Sequence, residues 1–287
     1  MYDRILLPVD GSSALEPTVT HGLDIAASYG ATVQLLRIHP EDAEGDSIAV
    51  TSSRETAQTV SARTADVIAD RTSDVDLAVK QTDAYGTPSA VIETWHEQFD
   101  PDLIVMPSRT DERATPVERS FVEVAGMTPT PVLGVPTAAE TESASGYTLF
   151  DSILVGTDGS DRSRAASEMA LKLAERYGAT IHALYVLDTE SLDRTDTTGG
   201  ELSVLRAGGQ QAVEEIETQG QAISVPVTPQ LKKGNAAEQL IESATTIDAD
   251  LLVVGTQGER TDPPAKELGG TTEAVIRHAT RPILTVG

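Results

Sequence analysis

The chain carries the same domain twice. Residues Asp3–Ile38 align without a gap to Asp151–Val186 at an offset of 148 residues. Asp3-x-Ile5-Leu6 returns as Asp151-x-Ile153-Leu154, Asp10-Gly-Ser12 as Asp158-Gly-Ser160, and Tyr29-Gly-Ala-Thr32 as Tyr177-Gly-Ala-Thr180. The offset persists at Gly86 and Gly234, and at Asp102 and Asp250. Solenoid units run roughly 20–50 residues, so a period this long marks a duplicated domain. Copies of about 140 residues match ordinary domain size and can each close a core. A pattern kept in both copies is expected to serve the fold. A pattern kept in one marks chemistry that its sister lacks.

Each copy alternates strand and helix signals. In the first, strands are expected at Arg4–Val9, Ala31–Ile38, Val75–Gln81, Asp102–Pro107 and Pro131–Val135. Helices are expected at Ser13–Ser28, Thr51–Thr72 (after an acidic loop), Thr87–Gln98 and Val117–Met127. The second copy repeats the series from Ser152–Thr157 to Pro282–Val286. Short, near-continuously apolar strands joined by helices imply a parallel sheet covered on both faces. Right-handed crossovers then give a doubly wound sheet with its ligand site at the strands' carboxyl ends, where strand order reverses. The expected fold is α/β: two tandem, Rossmann-like, five-stranded domains at 1–136 and 150–287, joined by a polar linker at 137–149. Each copy ends in an apolar strand whose open edge invites pairing. Pairing of the two last strands would make the chain an intramolecular pseudo-dimer, with further dimerisation of whole chains left open.

Charge and composition exclude several functions. With 45 acids against 21 bases the formal net charge is −24. Such a field repels nucleic acid and anionic lipid. The surface suits a high-salt, halophilic cytoplasm, where molar salt shortens the Debye length to about 3 Å; an acidic mesophilic protein is the alternative. The absence of cysteine removes disulfides, thiolate catalysis and Cys-ligated metals. No apolar run reaches membrane length and Met1 leads into a charged strand, so a soluble, cytoplasmic protein is expected.

The chemistry-bearing asymmetry follows the fourth strand. The second copy reads Gly255-Thr-Gln-Gly258, ten residues, then Gly269-Gly270-Thr271-Thr272 opening a helix. Glycines let backbone approach a ligand, and a helix start offers free N–H groups and a positive dipole end, which suits phosphate. Thr271 and Thr272 add hydroxyls. The first copy has Pro107-Ser-Arg-Thr110 and Glu118-Arg119-Ser120 at the matching places, and its connection is three residues shorter. The second copy is therefore read as the binding one.

In these motifs the chain resembles the universal stress protein family in tandem form. The resemblance rests on Ile153-Leu-Val-Gly-Thr-Asp158-Gly-Ser, Gly234-Asn-Ala-Ala, Asp250-Leu-Leu-Val-Val-Gly255-Thr-Gln-Gly258 and Glu273-Ala-Val-Ile-Arg-His-Ala279 before Arg281-Pro-Ile-Leu. It implies ATP or another adenine nucleotide, alone or with Mg²⁺, held by a G-x2-G-x9-G-[S/T] loop. Gly156, Thr157 and Asp158 would meet the adenine and ribose, and Val186 would line the base pocket. Val254, Gly255 and Gly258 would flank ribose and phosphates; Gly269, Gly270, Thr271 and Thr272 would wrap the phosphates. Two departures stand: the spacer is ten residues, with Pro263-Pro264 inside it, and Gly270 replaces the family's Ser or Thr. The implied role is a stress-response or regulatory protein in which phosphate contacts order the Thr256–Gly269 loop and present a changed surface to a protein partner. An interaction scaffold without nucleotide and a slow ATPase are the alternatives.

Plainer roles compete for several residues. Asp10 and Asp158 precede Gly-Ser at strand-to-helix turns, where Asx turns and caps are routine. Arg260 and Lys266 sit among acids, as solvated charges do. His278 suits a helix end, the other histidines lack metal-ligand spacing, and Trp95 reads as a core or domain-contact residue. No catalytic constellation emerges. A receiver domain would want an acidic pair after its first strand, and Gly-Ser follows Asp10 and Asp158 instead.

Overall fold

The structure is a computed structural model that describes residues 1–10, 16–39, 49–51, 68–69, 77–109, 112–137, 149–188, 199–258 and 268–287. These form two compact units, Met1–Ser145 and Gly146–Gly287. The first unit contains β1 (Arg4–Val9), α1 (Glu16–Tyr29), β2 (Thr32–His39), β3 (Ala49–Thr51), β4 (Val79–Tyr85), α2 (Pro88–Phe99), β5 (Leu103–Ser108), α3 (Pro116–Arg119), α4 (Phe121–Met127) and β6 (Val132–Pro136). The second contains β7 (Ser152–Thr157), α5 (Asp161–Tyr177), β8 (Thr180–Leu187), α6 (Gly199–Ala222), β9 (Val227–Lys233), α7 (Ala236–Thr246), β10 (Leu251–Gly255), α8 (Gly270–His278) and β11 (Ile283–Val286).

Strand order is β3-β4-β2-β1-β5-β6 in the first unit and β9-β8-β7-β10-β11 in the second. In the second unit β7 pairs in parallel with β8 on one side and β10 on the other. Order therefore reverses between β7 and β10, which is where a doubly wound sheet opens a crevice. Helices α5 and α6 touch each other, α5 over β7, β10 and β11 and α6 over β8 and β9; α7 and α8 form the other touching pair. Ile153, Leu154, Val155, Ile181 and Val253 are fully buried beneath these layers.

Repeated residues explain the repeated fold. Asp102 Oδ2 accepts from the amides of Asp3 and Arg4 at 2.8 and 2.9 Å. Asp250 Oδ2 accepts from those of Asp151 and Ser152, both at 2.9 Å. These carboxylates tie the starts of β1 and β7 to the starts of β5 and β10, at the end of the sheet away from the crevice. Tyr2 packs edge-on against Tyr29 (centroids 5.0 Å apart) as Phe150 does against Tyr177 (5.3 Å). Ser160 caps α5 by accepting from Ser163 N at 3.2 Å, and Gly178 ends that helix in the left-handed conformation, φ +73°.

The structure departs from the sequence-based expectations in three places. First, β3 adds a sixth strand to the first unit, antiparallel to β4, so Thr51 opens no helix; residues 52–67 and 70–76 lie outside the described residues. Second, β4 runs to Tyr85, beyond the expected end at Gln81. Its polar Asp83 is tolerated because Arg37 and His39 on β2 pair with it, His39 Nε2 at 2.7 Å. Third, the expected Val117–Met127 helix breaks at Ser120. That residue's amide turns back to Pro116 and Val117 carbonyls and its hydroxyl donates to Val117 O at 2.8 Å. The expected linker falls almost wholly on residues 138–148, outside the described set. No helix among the described residues is long and apolar enough to cross a membrane.

Candidate functional site

At the carboxyl ends of β7, β8 and β10 the second unit holds a cavity of about 340 Å³. That lies within the range of small-molecule sites, about 300–1,000 Å³. All eleven residues singled out in the sequence line it: Gly156, Thr157 and Asp158 from β7's end, Val186 from β8, Val254, Gly255 and Gly258 from β10's end, and Gly269, Gly270, Thr271 and Thr272 from the start of α8.

The turn after β7 is built by its own polar groups. Asp158 Oδ1 accepts from Ser160 N at 3.0 Å, forming an Asx turn. Thr157 Oγ1 accepts from Gly159 N at 3.2 Å, and Gly159 takes φ +81°. The plain role of Asp158 is thus real. Its Oδ2 faces Gly258, where an added Cβ would stand 2.6 Å from it. Gly255 has a packing reason too: a Cβ there would lie 3.0 Å from the Arg162 carbonyl carbon and 3.1 Å from Ser163 N, so glycine lets β10 end against the first turn of α5.

The two ends of the glycine-rich connection are fastened together. Gly269 N donates to Thr256 O, and Thr256 N to Val286 O, each at 2.8 Å. Thr272 Oγ1 donates to Gly255 O at 2.8 Å, and Arg162 Nη1 to Thr256 Oγ1 at 3.0 Å. This corrects one expectation: the Thr272 hydroxyl proton is spent on the fold, which leaves its backbone N–H as the group offered to a ligand. Thr271 is exposed. Residues 259–267, with Arg260, Lys266 and the Pro263-Pro264 pair, lie outside the described residues.

Helix α8 starts uncapped. Gly269 is its N-cap and makes no side-chain capping bond. The amides of Gly270, Thr271 and Thr272 find no acceptor among the described residues. A Cβ on Gly270 would meet no heavy atom within 4 Å. Three amide donors at the positive end of a nine-residue helix are therefore without an acceptor among the described residues, on residues that line the cavity. Around them stand the apolar walls Leu184, Val186, Leu187, Leu205, Leu240 and Val254. An anion at the helix start and a flat apolar group between these walls fit the residues present. Among the described residues no cluster of three His, Asp or Glu could hold a metal.

At the residues that match Gly270 and Thr271 the first unit has already begun its helix, and the amides of Arg119 and Ser120 are spent on the carbonyls of Thr115 and Pro116. Thr115 and Glu118 form a reciprocal capping box: Thr115 N donates to Glu118 Oε2 at 2.6 Å and Glu118 N to Thr115 Oγ1 at 3.3 Å. Glu118 is 2 % exposed and also accepts from the Thr137 hydroxyl. Here a carboxylate of the chain itself closes the cap at the start of α3. Phe121 then fills the space over Gly134, where a Cβ would stand 2.5 Å from the ring.

Nine lining residues were not singled out in the sequence: Ser163, Leu184, Tyr185, Leu187, Asp188, Leu205, Ala236, Leu240 and Gln257. The end of β8 was recoverable from the strand-end rule, which points to Leu184–Leu187 as a block. Ala236 follows Asn235, which caps α7 by accepting from Glu238 N at 3.2 Å. Leu205 and Leu240 come from helices and carry no local signal.

Solved structures share this architecture. A universal stress protein from Archaeoglobus fulgidus covers 99 % of the chain and 97 % of its own at 17 % identity, TM-score 0.64. A putative universal stress protein from Pseudomonas aeruginosa covers 99 % and 93 %, again at 17 % identity, TM-score 0.63. A universal stress protein in complex with cAMP covers 48 % and 96 % at 24 % identity, TM-score 0.36; that ligand is its own. In sequence, a universal stress protein of Methanocaldococcus jannaschii is 32 % identical over 144 residues, 49 % of this chain and 84 % of the relative. The model of the universal stress protein family matches residues 1–133 and again 149–287. The chain belongs to the universal stress protein family, with the family domain present in tandem.

Proposed function

We propose that the chain is an adenine-nucleotide-binding regulatory protein of stress-response type, with one site, in the second copy. The observation that carries the reading is the uncapped start of α8, where Gly270, Thr271 and Thr272 line the cavity at the β7–β10 switch point. Phosphate would meet the amides of Gly270, Thr271 and Thr272; ribose would lie near Asp158 and Gly258; adenine would lie between Val186, Leu240 and Val254. Binding biases a partner-facing surface only through unequal affinity for two states of the connection between β10 and α8. The reading assigns binding rather than turnover. The duplication supports a second element, an intramolecular pseudo-dimer in place of two subunits.

The test is equilibrium binding of AMP and ATP, with Mg²⁺, to wild type and to the double variant Gly258→Val, Gly269→Val. Saturable binding of one nucleotide per chain, lost in the variant, is the expected outcome. Equal affinity in the two proteins would remove the site assignment. No binding at millimolar nucleotide, with none copurifying, would favour a scaffold instead.

A further inference from the structure

Helix α6 runs from the sheet out to the cavity. Its buried positions Gly209, Val213, Ile216 and Gly220 recur at helical spacing and form one seam, and the helix packs against β8 and β9. The packing is close: a Cβ on Gly209 would stand 2.5 Å from the Tyr185 ring, and one on Gly220 would stand 2.3 Å from Cγ2 of Val227. Leu205 lies four residues before Gly209 and continues the seam. There the seam passes from sheet to cavity, which the half-buried Leu205 lines. Ser203, Val204, Arg206 and Ala207 beside it are exposed, Val204 to 72 %.

Two glycines stand where the seated part of α6 meets the exposed part. Gly209 is required by the Tyr185 ring. Gly208 has no such reason: it is exposed, a Cβ there would meet no heavy atom within 4 Å, and its φ is not positive. At one interior helix position alanine favours the helical state over glycine by about four- to fivefold. Pairs of this kind are where helices bend.

We infer that residues 203–207 are a hinged lid on the nucleotide site: this end of α6 swings about Gly208-Gly209, and Leu205 closes on the bound nucleotide. The inference rests on the nucleotide reading of the same cavity and gives that site a gate. Nucleotide enters and leaves while the lid is open and is held while Leu205 is seated. Stiffening the hinge then slows entry and exit together, whereas trimming Leu205 speeds exit alone.

Surface plasmon resonance with AMP, and with ATP and Mg²⁺, over the immobilised full chain tests this, with hydrogen exchange of the free chain beside it. Gly208→Ala should slow association and dissociation about four- to fivefold each, with affinity unchanged within twofold. Leu205→Ala should raise the dissociation rate at least fivefold and leave association within twofold. Amides of 203–207 should exchange faster than those of 211–219, and Gly208→Ala should slow them. Unchanged rates in Gly208→Ala, even with a raised melting temperature, make that glycine merely structural and overturn the lid; so does unchanged dissociation in Leu205→Ala. In either case nucleotide binding itself leaves the nucleotide reading standing. Absence of binding by both nucleotides overturns that reading and the gate with it.

Discussion

Gly270→Val separates the site from the fold. Gly270 is the first residue of α8 and lines the cavity. A Cβ there meets nothing within 4 Å, whereas one on Gly258 meets Asp158 at 2.6 Å. Valine at this position has room in the protein and stands where the ligand anion would lie. Hydrogen bonds to a charged group contribute about 1.5–3 kcal/mol each. Blocking two of the three amides then costs about 3–6 kcal/mol, a loss of roughly 10²- to 10⁴-fold in affinity. The fold should hardly notice. Glycine is about 0.3–0.5 kcal/mol worse than valine inside a helix, and less in an exposed first turn. That corresponds to a melting-temperature change of about 2 °C or less for a domain of this size. Titration with AMP and scanning calorimetry on the same samples read both quantities. Unchanged affinity would refute the claim that these amides face the ligand; a large fall in melting temperature would refute the claim that the space is open.

Asp158→Ala should weaken nucleotide binding about tenfold and cost about 1 kcal/mol of stability, because it removes the Asx turn to Ser160 as well as the carboxylate beside Gly258; isothermal titration and urea melts separate the two. Phe121→Ala should destabilise the first copy by about 3–5 kcal/mol, and Gly134→Ala by about 1–3 kcal/mol, since the buried Phe121 ring occupies the space over Gly134. Urea melts should show both losses without change in nucleotide affinity. Acid should loosen the first copy through Asp83. Hydrogen bonding to Arg37, and secondarily to His39, holds its carboxyl below the ordinary value of 3.8 against an opposing effect of burial. A depressed carboxyl stabilises fully above its unfolded pKa, and that stability is lost as pH falls from there through the folded value. Melting temperature should therefore fall less steeply below about pH 4 in Asp83→Asn than in wild type.

The elements were legible where composition and period agreed. Ile153-Leu-Val155 is a fully buried apolar run and could only be a central strand. The duplication exposed Asp102 and Asp250 as fold residues, and both tie strand starts in the same way. The asymmetry of the glycine-rich connection was legible for the same reason, since one copy served as control for the other. What the sequence concealed is long-range pairing. The strand expected to end at Gln81 runs on through Asp83, whose partners Arg37 and His39 lie beside it on β2. Thr272 reads as a ligand hydroxyl until its partner, Gly255 O, appears seventeen residues earlier. Glu118 reads as a missing glycine; folded, it lies inside a helix that starts earlier, and its carboxylate closes the cap at Thr115. Leu205 and Leu240 reach the cavity through helix packing, which no local pattern encodes.

The central claim is that one copy keeps an open helix start for an anion and the other has closed it. A crystal structure of the full chain grown with AMP tests this most directly. The account predicts one nucleotide per chain, in the second copy, with its phosphate on the amides of Gly270, Thr271 and Thr272 and its base against Val186 and Leu240. A nucleotide in the first copy would contradict it.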